Sequence, residues 1–427
     1  GVLFSLTLFR MGSEITGLPN VSLGKIIFSL AFLIWAANIL IGKDRASLLS
    51  LFQEKASLFL MVFMVLSFLS LMFSRYIAMD TLEELSSRIK MFLLYALIVE
   101  IIHRRQTLKT AIAVLLVGSL LTTGAGLYEV STGNSFFKSS YRHGDFVRKK
   151  EGLQKTIYGG KGRVQGLYSD PGFHAHAMVI FIGLALPWIV YARSKKFRLV
   201  MAVLVTAYLL NLIGTAARVG WVSLLCAMLV FLLLLKHRHK YALWGLAILS
   251  VIIIFIASSL IPHLPTTERL HLKGDISWSW RVQMTNLAFA MIRDNPVLGV
   301  GTGNFVPEYY HYKEHVPSLS WSLGTWIHNS YLQIWAENGT VGLLAFLAFM
   351  SAIGLGLLWA YLDAADREMR IMSLGLLTAF VGYAVEFAGV PVIDQEIGWV
   401  VFSLGVSLIA INRKEKRQIA FLQSPEL

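Results

Sequence analysis

The sequence predicts an all-α integral membrane protein of about twelve transmembrane helices, with a large helical loop on the outer side before the tenth. Three observations predict it. The 427 residues are 56% hydrophobic and 15% charged, whereas a soluble chain carries about a quarter charged residues. Apolar runs of roughly 17–25 residues, the length that crosses a bilayer as helix, recur along the whole chain, so they are not a single signal peptide. The runs are continuous, whereas the strands of a membrane barrel would alternate over about 10 residues.

The runs fall at 1–9, 23–41, 57–74, 90–102, 109–127, 174–192, 198–213, 219–235, 241–261, 333–360, 371–389 and 396–411. The first is too short to span alone, and the chain opens on Gly1 rather than Met, which leaves room for a start further upstream. Three regions follow. Residues 1–261 hold helices one to nine and a basic outer loop at 128–173. Residues 262–332 form the large outer loop. Residues 333–427 hold helices ten to twelve and a basic tail.

Loop charge gives the orientation. Lys43, Arg45 and Lys55; Arg104, Arg105 and Lys109; Arg193, Lys195, Lys196 and Arg198; Lys236, Arg238 and Lys240; Arg367 and Arg370; and Arg413, Lys414, Lys416 and Arg417 occupy every second loop and the C-terminus. Short basic loops stay in the cytoplasm. Both termini are therefore expected inside a bacterial inner membrane, with the two long loops outside. A net charge of +13 would suggest nucleic acid in a soluble chain. Here much of it serves topology, and no nucleic-acid partner is expected. The single cysteine, Cys226, lies inside an apolar run, which excludes an intrachain disulfide and a cysteine metal site.

The first long loop carries Arg142, Arg148, Lys149, Lys150, Lys155, Lys161 and Arg163 against Glu129, Asp145, Glu151 and Asp170. It reads either as a solvated face or as a basic surface for an anionic lipid or phosphate. The second contains residues 277–294, where Trp280, Met284, Leu287 and Met291 stand at helical spacing, Asp275 or Ser277 can cap the start, and Pro296 follows the end. This helix is expected at the membrane surface, with Trp278 and Trp280 at headgroup level.

Four candidate site residues lie outside or at outer helix ends: Arg163 in RVQGLYSDPG, Arg218 in GTAARVGW, Arg281 on the surface helix, and His328 in TWIHNSYLQ. Guanidinium matches phosphate oxygens in a fork, and neutral imidazole can take a proton from a hydroxyl. Each has a plainer reading: an interfacial anchor for Arg163, snorkelling for Arg218, solvent exposure for Arg281, a structural helix-start histidine for His328. Arg88 and Lys90, at the outer end of the fourth run, are weaker candidates for the same charge. Glu337 follows His328 by nine residues, half a turn out of phase at about 3.6 residues per turn, so it does not orient the imidazole along one helix.

Several patterns fail as sites. GVGTGNF at 299–305 follows a proline rather than a strand and reads as a flexible turn, not a dinucleotide loop. His174 and His176 do not share a helical face, which makes a metal pair weak. His237 and His239 sit among basic residues and read as topology. Asp394 and Glu396 could pair with an arginine; their role stays open.

Three segments resemble the O-antigen ligase family, in the wider group that includes O-antigen polymerases. RVQGLYSDPG is similar to the family's Arg-x-x-Gly…Asp-Pro-Asn segment, with Gly172 in place of Asn. PVLGVGTGNF is similar to its Pro-x-x-Gly-x-Gly-x-x-x-Phe run. His328-Asn329, nine residues, then Gly339-Thr-Val-Gly342 matches its His-Asn-x9-Gly-x-x-Gly motif, with Leu343 where the family has Thr or Val. The resemblance implies a GT-C-like glycosyltransferase with an outer, periplasmic active site. It would move a glycan from an undecaprenyl-diphosphate carrier to lipid A–core, without nucleotide sugar, metal or other cofactor. On that expectation Arg163, Arg218 and Arg281 hold the diphosphate, assisted by Arg88 and Lys90, and His328 deprotonates the acceptor, with inversion at the anomeric centre. Two alternatives stay open: a polysaccharide polymerase with the same donor chemistry, and a transporter of lipid-linked glycan. Against the transporter, no internal symmetry is visible and few ionisable residues lie near midplane. Oligomeric state is not legible.

Overall fold

A computed structural model describes residues 33, 54–75, 77, 79–134, 163–168, 170–235, 276–312 and 327–423. Among the described residues every regular element is a helix and there is no strand: α1 (Lys55–Met72), α2 (Met79–Ile101), α3 (Arg105–Thr132), α4 (Pro171–Tyr191), α5 (Lys195–Thr215), α6 (Arg218–Leu234), α7 (Ile276–Asp294), α8 (Phe305–Tyr312), α9 (Ser330–Leu362), α10 (Arg367–Glu386) and α11 (Glu396–Gln423).

Seven of these (α1, α3, α4, α5, α9, α10 and α11) are long and apolar enough to cross a membrane, and α6 is a shorter apolar helix. The protein is a multi-pass helical membrane protein. The expected runs 1–9 and 241–261, and all of 23–41 but Leu33, lie outside the described residues. The run expected at 90–102 belongs to a longer helix that starts at Met79; Asp80, Glu83, Glu84 and Arg88 lower the hydropathy of its first turns. The last helix continues past 411 to Gln423, because its basic tail residues are good helix formers.

The outer surface of α6 shows why water is the wrong solvent. Val222, Leu225, Leu229 and Leu233 are 52%, 66%, 53% and 64% exposed, an apolar stripe at helical spacing. In water such a stripe invites association; in a bilayer it is the lipid face. The centre is built from α4 and α10, which pack on each other, α4 also on α5, and α10 also on α6, α9 and α11. Between helices in lipid, association rests on close packing and small residues. Gly183 of α4 supplies it: a Cβ there would lie 2.6 Å from the Ala379 backbone nitrogen of α10.

Outside this bundle a second, smaller core forms. Trp280, Met284, Leu287 and Met291 of α7 are all buried, packed with Val300, Phe305 and Tyr309 and with Leu332 and Ala336 of α9. The spacing read from the sequence is thus the buried face of α7. That face meets α9, which sets α7 over the end of α9 where His328 lies.

Candidate active site

The turn between α10 and α11, residues 387–392, is where the site is assembled. The α10 helix ends in tight turns, with Gly389 N donating to Glu386 O at 2.9 Å and Val390 N to the same carbonyl at 3.1 Å. Ser330, the first residue of α9, docks on this turn. Its N donates to Phe387 O at 2.7 Å, its Oγ donates to Val390 O at 2.9 Å, and the Oγ accepts from Val392 N at 2.9 Å. Asn329 caps α9, its Oδ1 accepting from Leu332 N at 2.9 Å. His328 immediately precedes that cap, so its backbone is fixed on the side that enters α9.

Arg281 reaches the same turn from α7, Nη1 donating to Gly389 O at 3.0 Å. Two further segments meet it. A Cβ built on Gly389 would lie 2.6 Å from Val219 of α6, beside Arg218, and one on Gly172 would lie 3.8 Å from Val390.

Arg163 lies in the stretch 163–168, which is tacked onto the tops of α3 and α5. Glu129 Oε2 accepts from Gln165 N at 2.7 Å and from Gly166 N at 2.9 Å, and Val164 N donates to Gly214 O at 3.0 Å. Arg163 Nε then donates to Thr215 O at 2.7 Å. Thr215 ends α5 and Arg218 begins α6, joined through Ala216, whose φ of 49° is the one positive value on a non-glycine among the described residues. Arg163 and Arg218 are thus placed at one tight turn, Arg281 and His328 at another, and Val219 packs between the turns. Arg163, Arg281 and His328 are each half-buried, as is Arg218.

The electrostatics of His328 follow from this placement. Burial first, and then the neighbouring Arg281 cation, hold its pKa down at about 4, with Asp170 acting in the opposite direction. The imidazole is therefore neutral at pH 7. Its Nδ1 is buried and has no hydrogen-bond partner among the described residues.

Arg88 departs from the expected diphosphate contact. It is 2% exposed and is consumed by its own partners: an ion pair with Glu337, a second with Glu84 at 3.5 Å, and a hydrogen bond to Asn338 Oδ1 at 2.8 Å. A guanidinium this deeply buried needs a carboxylate beside it, and Glu337 is the one α9 supplies. Lys90 is half-buried and exerts its charge on Asp394. The two therefore sit with a second, acidic cluster. In it, burial and the Glu84 charge raise the Asp394 pKa.

The same cluster corrects the reading of 299–305 as a flexible turn. The segment is buried and bonded: Val300 N donates to Ala336 O at 2.9 Å and Gly301 N to Glu337 O at 3.0 Å. Asn338 Nδ2 donates to Thr302 Oγ1 at 2.6 Å, and Thr81 Oγ1 to Asn304 Oδ1 at 2.6 Å. It fills a break in α9, where Gly339 adopts φ 66°, ψ −174° and frees Ala336 and Glu337 carbonyls for the loop. The PVLGVGTGNF and HN-x9-GTVG segments are two halves of one joint.

Sequence reading missed Ser330, Glu129, and the buried pair His176–Glu386, in which Nδ1 and Oε2 are 2.8 Å apart. The signals were too weak to find: one serine in a helix start, and carboxylates whose partners are remote in sequence. His174 is bonded at Nε2 to Asn211 Oδ1 at 2.9 Å. Among the described residues no group of three or more His, Cys, Asp or Glu side chains could hold a metal ion.

A family model described as O-antigen ligase matches residues 202–347, a stretch that includes Arg218, Arg281 and His328. An O-antigen ligase of Salmonella typhimurium is 26% identical over 221 residues, covering 50% of this chain and 53% of the relative. The chain thus spans about half the length of the relative it matches. The resemblance to the O-antigen ligase family that the motifs carry is borne out by both.

Proposed function

We propose that this relative of the O-antigen ligases is a glycosyltransferase that moves a glycan from undecaprenyl diphosphate to lipid A–core at the periplasmic face of the inner membrane. The observation that carries the proposal is the meeting of Arg281 and Ser330, and hence His328, on the single turn 387–392, with the Arg163–Thr215 contact and Arg218 on its other flank.

The reaction asks little of the protein beyond charge and a base. The acceptor hydroxyl oxygen forms a bond to the donor's anomeric carbon. The bond from that carbon to the diphosphate oxygen breaks, and its electron pair leaves with the carrier diphosphate. The hydroxyl proton passes to the neutral His328 imidazole, general-base assistance of a kind worth about 10²–10⁴ in rate. Arg163, Arg218 and Arg281 stabilise the charge gathering on the diphosphate, which makes three cations from three segments the counterpart of one leaving group. Attack from the face opposite the diphosphate inverts the anomeric centre. Arg88 contributes by holding Glu337 and the α9 break, and Lys90 by the field it adds near Asp394.

The test is reconstitution of the full chain in vesicles with carrier-linked glycan and lipid A–core. Glycosylated lipid A–core and free carrier diphosphate support the proposal. Longer carrier-linked chains would instead make the protein a polymerase, and glycan movement with no bond formed would make it a transporter. Loss of transfer in His328→Ala, with normal expression, ties the result to this site.

A further inference from the structure

At the end of the bundle opposite in chain sense to His328, α3, α5 and α10 all begin and α4 ends around one cavity of about 560 Å³. One wall is aromatic: Trp188 and Phe197 meet edge to face, with centroids 5.7 Å apart. The rim is cationic, but its four cations are not equivalent. Arg105 is paired with Asp366 and with Glu415, and Lys109 with Glu368. Arg193 and Arg367 line the same cavity, are both exposed, and make no hydrogen bond or ion pair among the described residues. The rim residues are those that the positive-inside pattern places at the cytoplasmic boundary.

We infer that this cavity binds the phosphate headgroup of an anionic phospholipid from the cytoplasmic leaflet, with Arg193 and Arg367 on the phosphate and Trp188 and Phe197 against the glycerol and first acyl carbons. Charge complementarity selects the headgroup, since the two satisfied cations leave two guanidinium groups facing one opening, and guanidinium favours phosphate. Three helix N-termini add positive potential in the same direction. The aromatic wall selects a lipid over free phosphate, because a bare anion has no use for apolar surface, whereas indole rings are at home where headgroup meets chain. Basic pockets between transmembrane helices on this side of a membrane are of the kind that hold anionic headgroups. The inference does not depend on the reaction proposed for the outer face.

The experiment is native mass spectrometry of the full chain released from mixed micelles of phosphatidylglycerol and phosphatidylcholine with identical acyl chains. Wild type retains phosphatidylglycerol in preference. In Arg193→Gln/Arg367→Gln the preference falls about thirtyfold, since each basic residue near an anionic lipid is worth about fivefold in affinity. Lys195→Gln/Lys196→Gln, which removes the same charge outside the cavity, keeps most of it. No preference in wild type, an equal loss in both double variants, or displacement of the lipid by millimolar inorganic phosphate would each overturn the inference. A second measurement needs no arginine variant. Brominated phosphatidylglycerol should quench the Trp188 fluorescence, read as the difference between wild type and Trp188→Phe. Absence of quenching would also overturn it.

Discussion

Arg281 of α7 donates to the backbone carbonyl of Gly389, in the turn between α10 and α11, over 3.0 Å. The contact spans 108 residues of sequence and fixes a guanidinium beside the turn on which Ser330 holds His328. Arg281→Ala should therefore lower kcat/KM for glycan transfer by about 10²–10³, the usual cost of one donor to a developing anion. Arg281→Lys should fall between, because it keeps the charge and loses the fork. Transfer rates of the reconstituted variants at equal protein level are the measurement; an unchanged rate in Arg281→Ala would remove Arg281 from the diphosphate site.

The pair Arg88–Glu337 makes a prediction about stability rather than chemistry. Both side chains are buried, at 2% and 1% exposure. Removing one partner of a buried pair costs about 3–5 kcal/mol, whereas replacing both with apolar groups of similar volume is far milder. Glu337→Leu should therefore lower the thermal unfolding midpoint in detergent sharply, and Arg88→Met/Glu337→Leu should recover much of the loss. If Glu337→Leu alone unfolds like wild type, the pair is not holding the joint between α2 and α9.

How far the sequence reveals this protein differs between its parts. The spans of α1, α3, α4, α5, α9 and α10 are legible to within a few residues at each end, since hydrocarbon thickness imposes a length that composition displays. The buried face of α7 is legible because Trp280, Met284, Leu287 and Met291 repeat at the helical period. The arginines and His328 are legible as residue types, and the family motifs supply their grouping. The turn 387–392 is not legible, because it works through the carbonyls of Phe387, Gly389 and Val390, and every residue has a carbonyl. Arg88 looked available because its acidic partner lies 249 residues away, and only folding brings the two together. The 299–305 segment looked loose for a related reason: glycine signals conformational freedom, and sequence does not distinguish a free loop from one whose glycines let it lie flat on α9.

Gly339 is the residue on which that flat packing depends. Its φ of 66° is a left-handed value that L side chains pay for in strain, and a Cβ there would lie 2.0 Å from Val297 O. Backbone at φ 66°, ψ −174° is essentially reserved for glycine and costs a residue with a Cβ of order 1–3 kcal/mol, and here the contact is with rigid backbone, so relief requires the 296–305 segment to lift off. Gly339→Ala should lower both the unfolding midpoint and transfer activity. Gly124→Ala in α3, whose Cβ would meet nothing within 4 Å, should be the milder change. Limited proteolysis near 299–305, increased in Gly339→Ala and not in Gly124→Ala, would identify the lifted segment.

The acid side of the pH profile gives the sharpest test of His328. A histidine with an ordinary pKa near 6.5 would lose its basic form as pH falls through that value. Burial and Arg281 hold His328 down at about 4, so the neutral form persists well below pH 6. Since kcat/KM reports the free enzyme, its acid limb should lie near pH 4 and stay flat between pH 5.5 and 7. Two variants move the limb in opposite directions. Arg281→Gln removes a cation that disfavours the imidazolium, so the pKa rises and the limb moves to higher pH. Asp170→Asn removes an anion that favours it, so the limb moves lower. The donor adds a third shift, because a bound diphosphate brings negative charge beside the ring and raises its pKa. The limb in kcat should therefore lie above the limb in kcat/KM, which brings the base closer to the working pH in the complex where it has to act. Coincident limbs, or an Arg281→Gln limb that moves down, would mean that the ionisation being read belongs to another group.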